Sequence, residues 1–127
     1  MKQHILVVDD EVPILDLLSR FFEQRGYAVS TAETVQEAEQ LAARTPLSLV
    51  LLDIAVAEAD GLDLLVRLKA LYPNLPVLML TGMSFDQGLF KEAMQKGASG
   101  FISKTIEMEH LLQEVRQVLD GPAAAAS

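Results

Sequence analysis

The chain has 127 residues, half of them apolar, a net charge of −8 and no cysteine. This suffices for one domain with a buried core and is too apolar for a disordered segment. The missing cysteines exclude disulfide and thiolate chemistry, the acidic balance argues against a nucleic-acid-binding face, and no apolar run reaches the length of a membrane span. Met1-Lys2-Gln3-His4 leads straight into a strand without a signal-peptide pattern, so a cytoplasmic protein with no membrane partner is expected.

Ile5-Leu6-Val7-Val8 is a short apolar run that reads as a buried strand, and it ends on Asp9 and Asp10. Ile14, Leu15, Leu18, Phe21 and Phe22 then follow helical spacing up to Gly26. Tyr27, Val29 and Thr31 alternate like a half-buried edge strand. Val35, Ala38, Leu41 and Ala42 predict a second helix, stopped before Pro46. Leu49-Val50-Leu51-Leu52 is a second fully apolar run, and it ends on Asp53. Leu64, Leu65, Leu68, Leu71 and Tyr72 predict a third helix, closed by Pro73-Asn74. Val77-Leu78-Met79-Leu80 ends on Thr81. Leu89, Phe90, Ala93 and Met94 predict a fourth helix, closed by Gly97. Phe101-Ile102-Ser103 ends on Lys104, and Met108, Leu111, Leu112, Val115, Val118 and Leu119 predict a fifth helix that stops at Gly121-Pro122. Residues 1–120 thus form one domain, and 121–127 are a linker start or an appended tail.

Five strand–helix units in tandem imply an α/β fold, a five-stranded parallel sheet with helices on both faces, (βα)5 and doubly wound. The three most apolar strands belong in the centre and the second and fifth at the edges. In a parallel sheet every strand exits at the same edge. Asp9, Asp10, Asp53, Thr81 and Lys104 therefore gather in one crevice. Three carboxylates in one place repel one another, and a single lysine does not balance them. The cluster calls for a hard divalent cation with oxygen ligands, Mg²⁺ by preference, beside groups that suit a transferring phosphoryl.

Val7-Val8-Asp9-Asp10-Glu11, Leu51-Leu52-Asp53, Asp60-Gly61, Leu80-Thr81-Gly82 and Gly97-Ala98-Ser99-Gly100-Phe101-Ile102-Ser103-Lys104 resemble the receiver domain of bacterial two-component response regulators. The resemblance spans roughly residues 3–120 and implies the flavodoxin-like strand order 2-1-3-4-5. It implies a phosphorylation-dependent signalling switch that catalyses its own phosphotransfer and autodephosphorylation. Asp53 would accept a phosphoryl group from a histidine kinase. Asp9, Asp10, Asp53 and the carbonyl of Ala55 would hold Mg²⁺. Thr81 and Lys104 would contact the phosphoryl oxygens, and Phe101 would be a switch aromatic that follows Thr81. The face made by the fourth helix, fifth strand and fifth helix would meet an output domain, a target protein or a second copy in a phosphorylation-induced homodimer. Phe85, Phe90 and Met94 enrich that segment in large apolar groups. Ala55 and Met83 would flank the path of a hydrolytic water and offer it no polar group.

The chain departs from the family pattern twice. Val56-Ala57 stands where many receivers have Met-Pro, and Thr105 follows Lys104 where many have a cis-linked proline. A trans bond to Thr105 is expected, since cis costs about 2.5–4 kcal/mol before a non-proline residue. Lysine without proline, after Gly97-Ala98-Ser99-Gly100-Phe101, resembles the receivers of LuxR/NarL-type regulators. Glu11 and Glu58 read as solvated, and His4 and His110 lack metal-ligand spacing. The competing reading is a receiver-like interaction module that has lost phosphorylation, against which stand the intact Asp9, Asp10, Asp53, Thr81 and Lys104. A haloacid-dehalogenase-type phosphohydrolase would place its nucleophile in an Asp-x-Asp after the first strand, and a flavodoxin would have a phosphate loop rich in Ser, Thr and Gly. Neither pattern is present.

Overall fold

The computed structural model describes residues 2–82 and 86–126, the last six of them as backbone only. The main sheet is built from β1 (His4–Val8), β2 (Ala28–Ala32), β3 (Leu49–Asp53), β6 (Val77–Thr81) and β7 (Gly100–Ser103). All neighbours are parallel and the order is β2-β1-β3-β6-β7, the expected 2-1-3-4-5 arrangement. A short antiparallel pair, β4 (Ala55–Val56) and β5 (Ala59–Asp60), lies in the loop after β3 and was not expected. The helices are α1 (Val12–Glu23), α2 (Val35–Arg44), α3 (Gly61–Leu71), α4 (Gln87–Gln95) and α5 (Met108–Ala126).

Strand periodicity sorts the core into two layers. Leu6, Val8, Val50, Leu52, Val77 and Met79 face one side, with Ala38, Leu64, Leu65, Leu68 and Ala93 from α2, α3 and α4. Ile5, Val7, Leu49, Leu51, Leu78 and Leu80 face the other, with Leu15, Leu18, Phe22, Leu111, Leu112 and Val115 from α1 and α5. Every residue of β3 and β6 is buried, as strands covered on both faces require. β2 and β7 are the edges, and their mixed burial matches that place.

The turns follow the sequence signals in most places. Gly26 and Gly97 adopt positive φ of 94° and 105° in the turns that follow α1 and α4. Lys69 in the last turn of α3 holds the loop that follows by donating from Nζ to the carbonyls of Pro73 and Leu75 at 2.8 and 2.9 Å. One expectation fails. Gly121-Pro122 does not stop the last helix, which runs on to Ala126. The alanines after the pair have the highest helix propensity of any residue, and they carry the helix past the proline.

The loop after β3 decides where Asp53 sits. Ala57 lies at φ 55°, a conformation closed to proline, so the Val56-Ala57 variant follows a path that Met-Pro could not. Among the described residues no peptide bond is cis, Lys104–Thr105 included. Asp60 caps α3 by accepting the Leu62 N–H at 2.9 Å. Gly61 then passes against the backbone at the end of β3. Its N–H donates to the Ile54 carbonyl at 2.6 Å, and a Cβ at this position would fall 2.1 Å from the Asp53 carbonyl oxygen. That obstacle is backbone and cannot swing away. Gly61→Ala is therefore expected to cost at least about 2 kcal/mol in urea unfolding. A loss below about half a kcal/mol would show that the loop relaxes freely.

Candidate functional site

Register brings the polar residues together. Val8 pairs with Leu52, so the next residues of those two strands, Asp9 and Asp53, leave side by side. Thr81 pairs with Ser103 at the neighbouring exit, and its carbonyl accepts the backbone N–H of Lys104 at 2.8 Å. Lys104 is thereby anchored beside Thr81, and its chain reaches back across the sheet edge.

The Lys104 ammonium meets three carboxylates. Nζ lies 2.7 Å from Asp9 Oδ2, 3.0 Å from Asp53 Oδ2 and 3.3 Å from Glu11 Oε2. Asp9, Asp53 and Thr81 are buried, while Asp10 is exposed at the mouth. Burial pulls the lysine pKa down, but the close carboxylate contacts and charges of Asp9 and Asp53 outweigh it and hold Lys104 protonated well beyond its usual range. Burial pushes the Asp53 carboxyl up. The Lys104 hydrogen bond opposes this, and the Asp9 charge adds to it. The Ala55 N–H reaches Asp53 Oδ1 at 3.4 Å, a long contact.

Asp9 contributes its two oxygens differently. Oδ1 accepts the Glu11 N–H at 2.9 Å and shapes the turn into α1. Oδ2 is buried and has no well-directed hydrogen-bond partner. The 2.7 Å approach of Lys104 is thus a charge contact with poor direction. A buried carboxylate oxygen without a bond is costly, and a cation would satisfy it. Asp9, Asp10 and Asp53 each offer an oxygen within 4.8 Å of the other two. The donors are all oxygen, as a hard divalent ion requires. The residues present fit Mg²⁺.

The expected site residues Asp9, Asp10, Asp53 and Lys104 thus converge, with Thr81 buried at the adjoining strand end. Ala55 lies at the lip on β4, exposed. Phe101 is half-buried on β7 and packs edge-on against Phe90 of α4, with ring centroids 6.0 Å apart. Met94 is part-exposed on α4. Met83 and Phe85 lie outside the described residues. Glu11, read as solvated from the sequence, is exposed yet pairs with Lys104. Asp10 does not cap α1, whose N-cap is Glu11 without a side-chain bond. The Phe90–Phe101 pair and the Lys104–Glu11 contact carry no local sequence signal, because they join residues from different elements.

The chain matches the response regulator receiver domain family over residues 5–116, and it belongs to that family. It is 31% identical over 125 residues to the transcriptional regulatory protein GlrR of Escherichia coli (strain K12), covering 96% of this chain and 27% of that protein. A CheY-like response regulator receiver domain protein from Methanospirillum hungatei JF-1 superposes with a TM-score of 0.90 at 29% identity, covering 94% of this chain and 95% of that one. A response regulator protein from Burkholderia pseudomallei, crystallised with a phosphorylated aspartic acid, calcium ion and citrate, gives 0.84 at 29% identity over 98% of this chain and 71% of that one. The chain spans from 26% to 56% of the length of the first curated relatives it matches. The LuxR/NarL flavour is not supported, because the relatives are mostly NtrC-type regulators. Among the described residues no helix is long and apolar enough to cross a membrane.

Crowded carboxylates make two outcomes measurable. Mg²⁺ should raise the melting temperature by mass action, by the equivalent of about 2.7 kcal/mol at a hundredfold excess over Kd. Asp10→Ala should remove most of that rise, and an undiminished rise would put the ion elsewhere. Asp53 has a raised pKa, so its ionisation favours the unfolded chain once the pH passes its unfolded value. Without metal, Asp53→Asn should therefore stabilise the protein at neutral pH. The gain should vanish as the pH falls below the unfolded carboxylate range, as read in urea unfolding at several pH values.

Proposed function

We propose that the domain is a switch driven by phosphorylation of Asp53, with a histidine kinase as donor. The observation that carries this reading is the Lys104 ammonium set 3.0 Å from the Asp53 carboxylate, in a crevice where Asp9 Oδ2 is buried without a directed hydrogen bond. An Asp53 oxygen forms the new bond to phosphorus as the bond to the donor nitrogen breaks, and the electron pair leaves with the imidazole. Lys104 turns from the Asp53 carboxylate to the new phosphoryl oxygens, and the Thr81 hydroxyl donates to another. Asp9, Asp10, Asp53 and the Ala55 carbonyl would hold Mg²⁺, which neutralises charge on the transferring group.

Phosphorylation adds about −1.5 to −2 charges at a buried strand end. Movement of Thr81 toward them opens space behind it, and the Phe101 ring, half-buried one strand away, turns in. Phe101 packs edge-on against Phe90, so α4 follows. The α4-β7-α5 face then presents a changed surface to an output domain, a target protein or a second copy. Residues 1–120 act as the switch, with 121–127 as a linker start or an appended tail. The similar Burkholderia pseudomallei protein with a phosphorylated aspartic acid supports the acceptor role.

Incubation with acetyl phosphate and Mg²⁺ should add one phosphoryl mass to the wild type and none to Asp53→Asn. Size-exclusion chromatography of the same samples should show the dimer only where Asp53 is modified or carries beryllofluoride. Equal labelling of the Asn variant would remove Asp53 from the acceptor role. The acyl phosphate should survive for minutes, because exposed Ala55 gives no hydrogen bond to an in-line water. Ala55→Asn should change that lifetime severalfold, and loss of phosphate within seconds from the unaltered protein would contradict it.

A further inference from the structure

Three carboxylates share Lys104, but only two of them are needed by a cation. Asp9 Oδ2 and Asp53 Oδ2 are the oxygens nearest the ammonium, and both residues belong to the group that fits Mg²⁺. A cation in the crevice competes with Lys104 for these residues. An ammonium has three donors and needs partners when partly buried. Glu11 is the one carboxylate of the three outside that group.

Its geometry suits the task. The Glu11 backbone is fixed on both sides. Its N–H donates to Asp9 Oδ1 at 2.9 Å, and its carbonyl accepts the N–H groups of Ile14 and Leu15 at 3.0 and 3.2 Å. It occupies the N-cap position of α1, yet its side chain does not cap the helix. The carboxylate instead reaches Lys104 Nζ at 3.3 Å. The Glu11 side chain is 60% exposed and that of Lys104 only 13%, so Glu11 approaches from the solvent side of the ammonium.

We propose that Glu11 is a positioning residue, which retains the Lys104 ammonium at the crevice mouth when a cation takes up Asp9 and Asp53. The proposal rests on the reading of Asp53 as phosphoacceptor and adds how its lysine stays in place for the incoming phosphoryl. Glutamate has both the charge and the reach, and two variants separate these. Glu11→Gln keeps the length and loses the charge. Glu11→Asp keeps the charge at the mouth and loses one methylene of reach.

The test follows the side-chain NMR signals of Lys104 during Mg²⁺ titration, with acetyl phosphate labelling measured on the same proteins. In the wild type the Lys104 signals should stay those of a paired ammonium at saturating Mg²⁺. In both variants they should move toward those of a solvated lysine, while the Mg²⁺-dependent rise in melting temperature persists. The limiting labelling rate of Glu11→Asp should fall about threefold or more, with the half-saturating acetyl phosphate concentration little changed. Lys104 signals that respond to Mg²⁺ identically in all three proteins would overturn the proposal. A change confined to Glu11→Gln would also overturn it, assigning Glu11 to the general field of the crevice. If Asp53 is not the acceptor, none of the proteins labels there, yet the Lys104 signals still report on Glu11.

Discussion

One ammonium for three carboxylates is the constraint on which this molecule turns. Asp9 and Asp53 are buried at the ends of adjacent central strands, where ionised groups lose their hydration. Lys104 compensates part of that loss, and the Asp9 Oδ2 atom remains without a directed hydrogen bond. Such an arrangement is a poor way to stabilise a resting protein. It suits a crevice whose oxygens serve the lysine and a cation in turn. The family to which the chain belongs supplies the same inference from the other direction.

The surrounding fold keeps this cost local. Two apolar layers, one on each face of the sheet, hold β1, β3 and β6 rigidly in register. The strands are apolar up to their final residues, so the unfavourable charge appears only at the exits. Short devices then fix each exit. Asp9 Oδ1 shapes the turn into α1, Asp60 caps α3, and Gly61 lets α3 start hard against the backbone of Asp53. The backbone of Lys104 hangs from Thr81. The backbones of Asp53, Thr81 and Lys104 are thus set by main-chain contacts.

Most of the architecture could be read from the sequence because it depends on periodicity and composition. The apolar run Leu49-Val50-Leu51-Leu52 of β3 could only be central, and mixed β2 only an edge. The convergence of Asp9, Asp53, Thr81 and Lys104 followed from the parallel topology alone. What escaped was contact across elements. Glu11 looks like any solvated glutamate until Lys104, 93 positions away, arrives beside it. The β4–β5 pair depends on a positive φ at Ala57, which no alanine advertises. Gly121-Pro122 carried a stop signal that the following alanines overrode. The subfamily reading, drawn from a lysine without proline after Gly97-Ala98-Ser99-Gly100-Phe101, is not supported by the relatives, which are mostly NtrC-type.

The most direct test of the shared-oxygen account is calorimetric Mg²⁺ binding to the wild type and to Lys104→Met. On this account the ammonium and a cation would compete for Asp9 and Asp53, so removing the ammonium should tighten Mg²⁺ binding, by about tenfold if the competition is worth about 1.4 kcal/mol. Equal or weaker binding by Lys104→Met would mean that the lysine and the cation do not share these oxygens, and the account would fail.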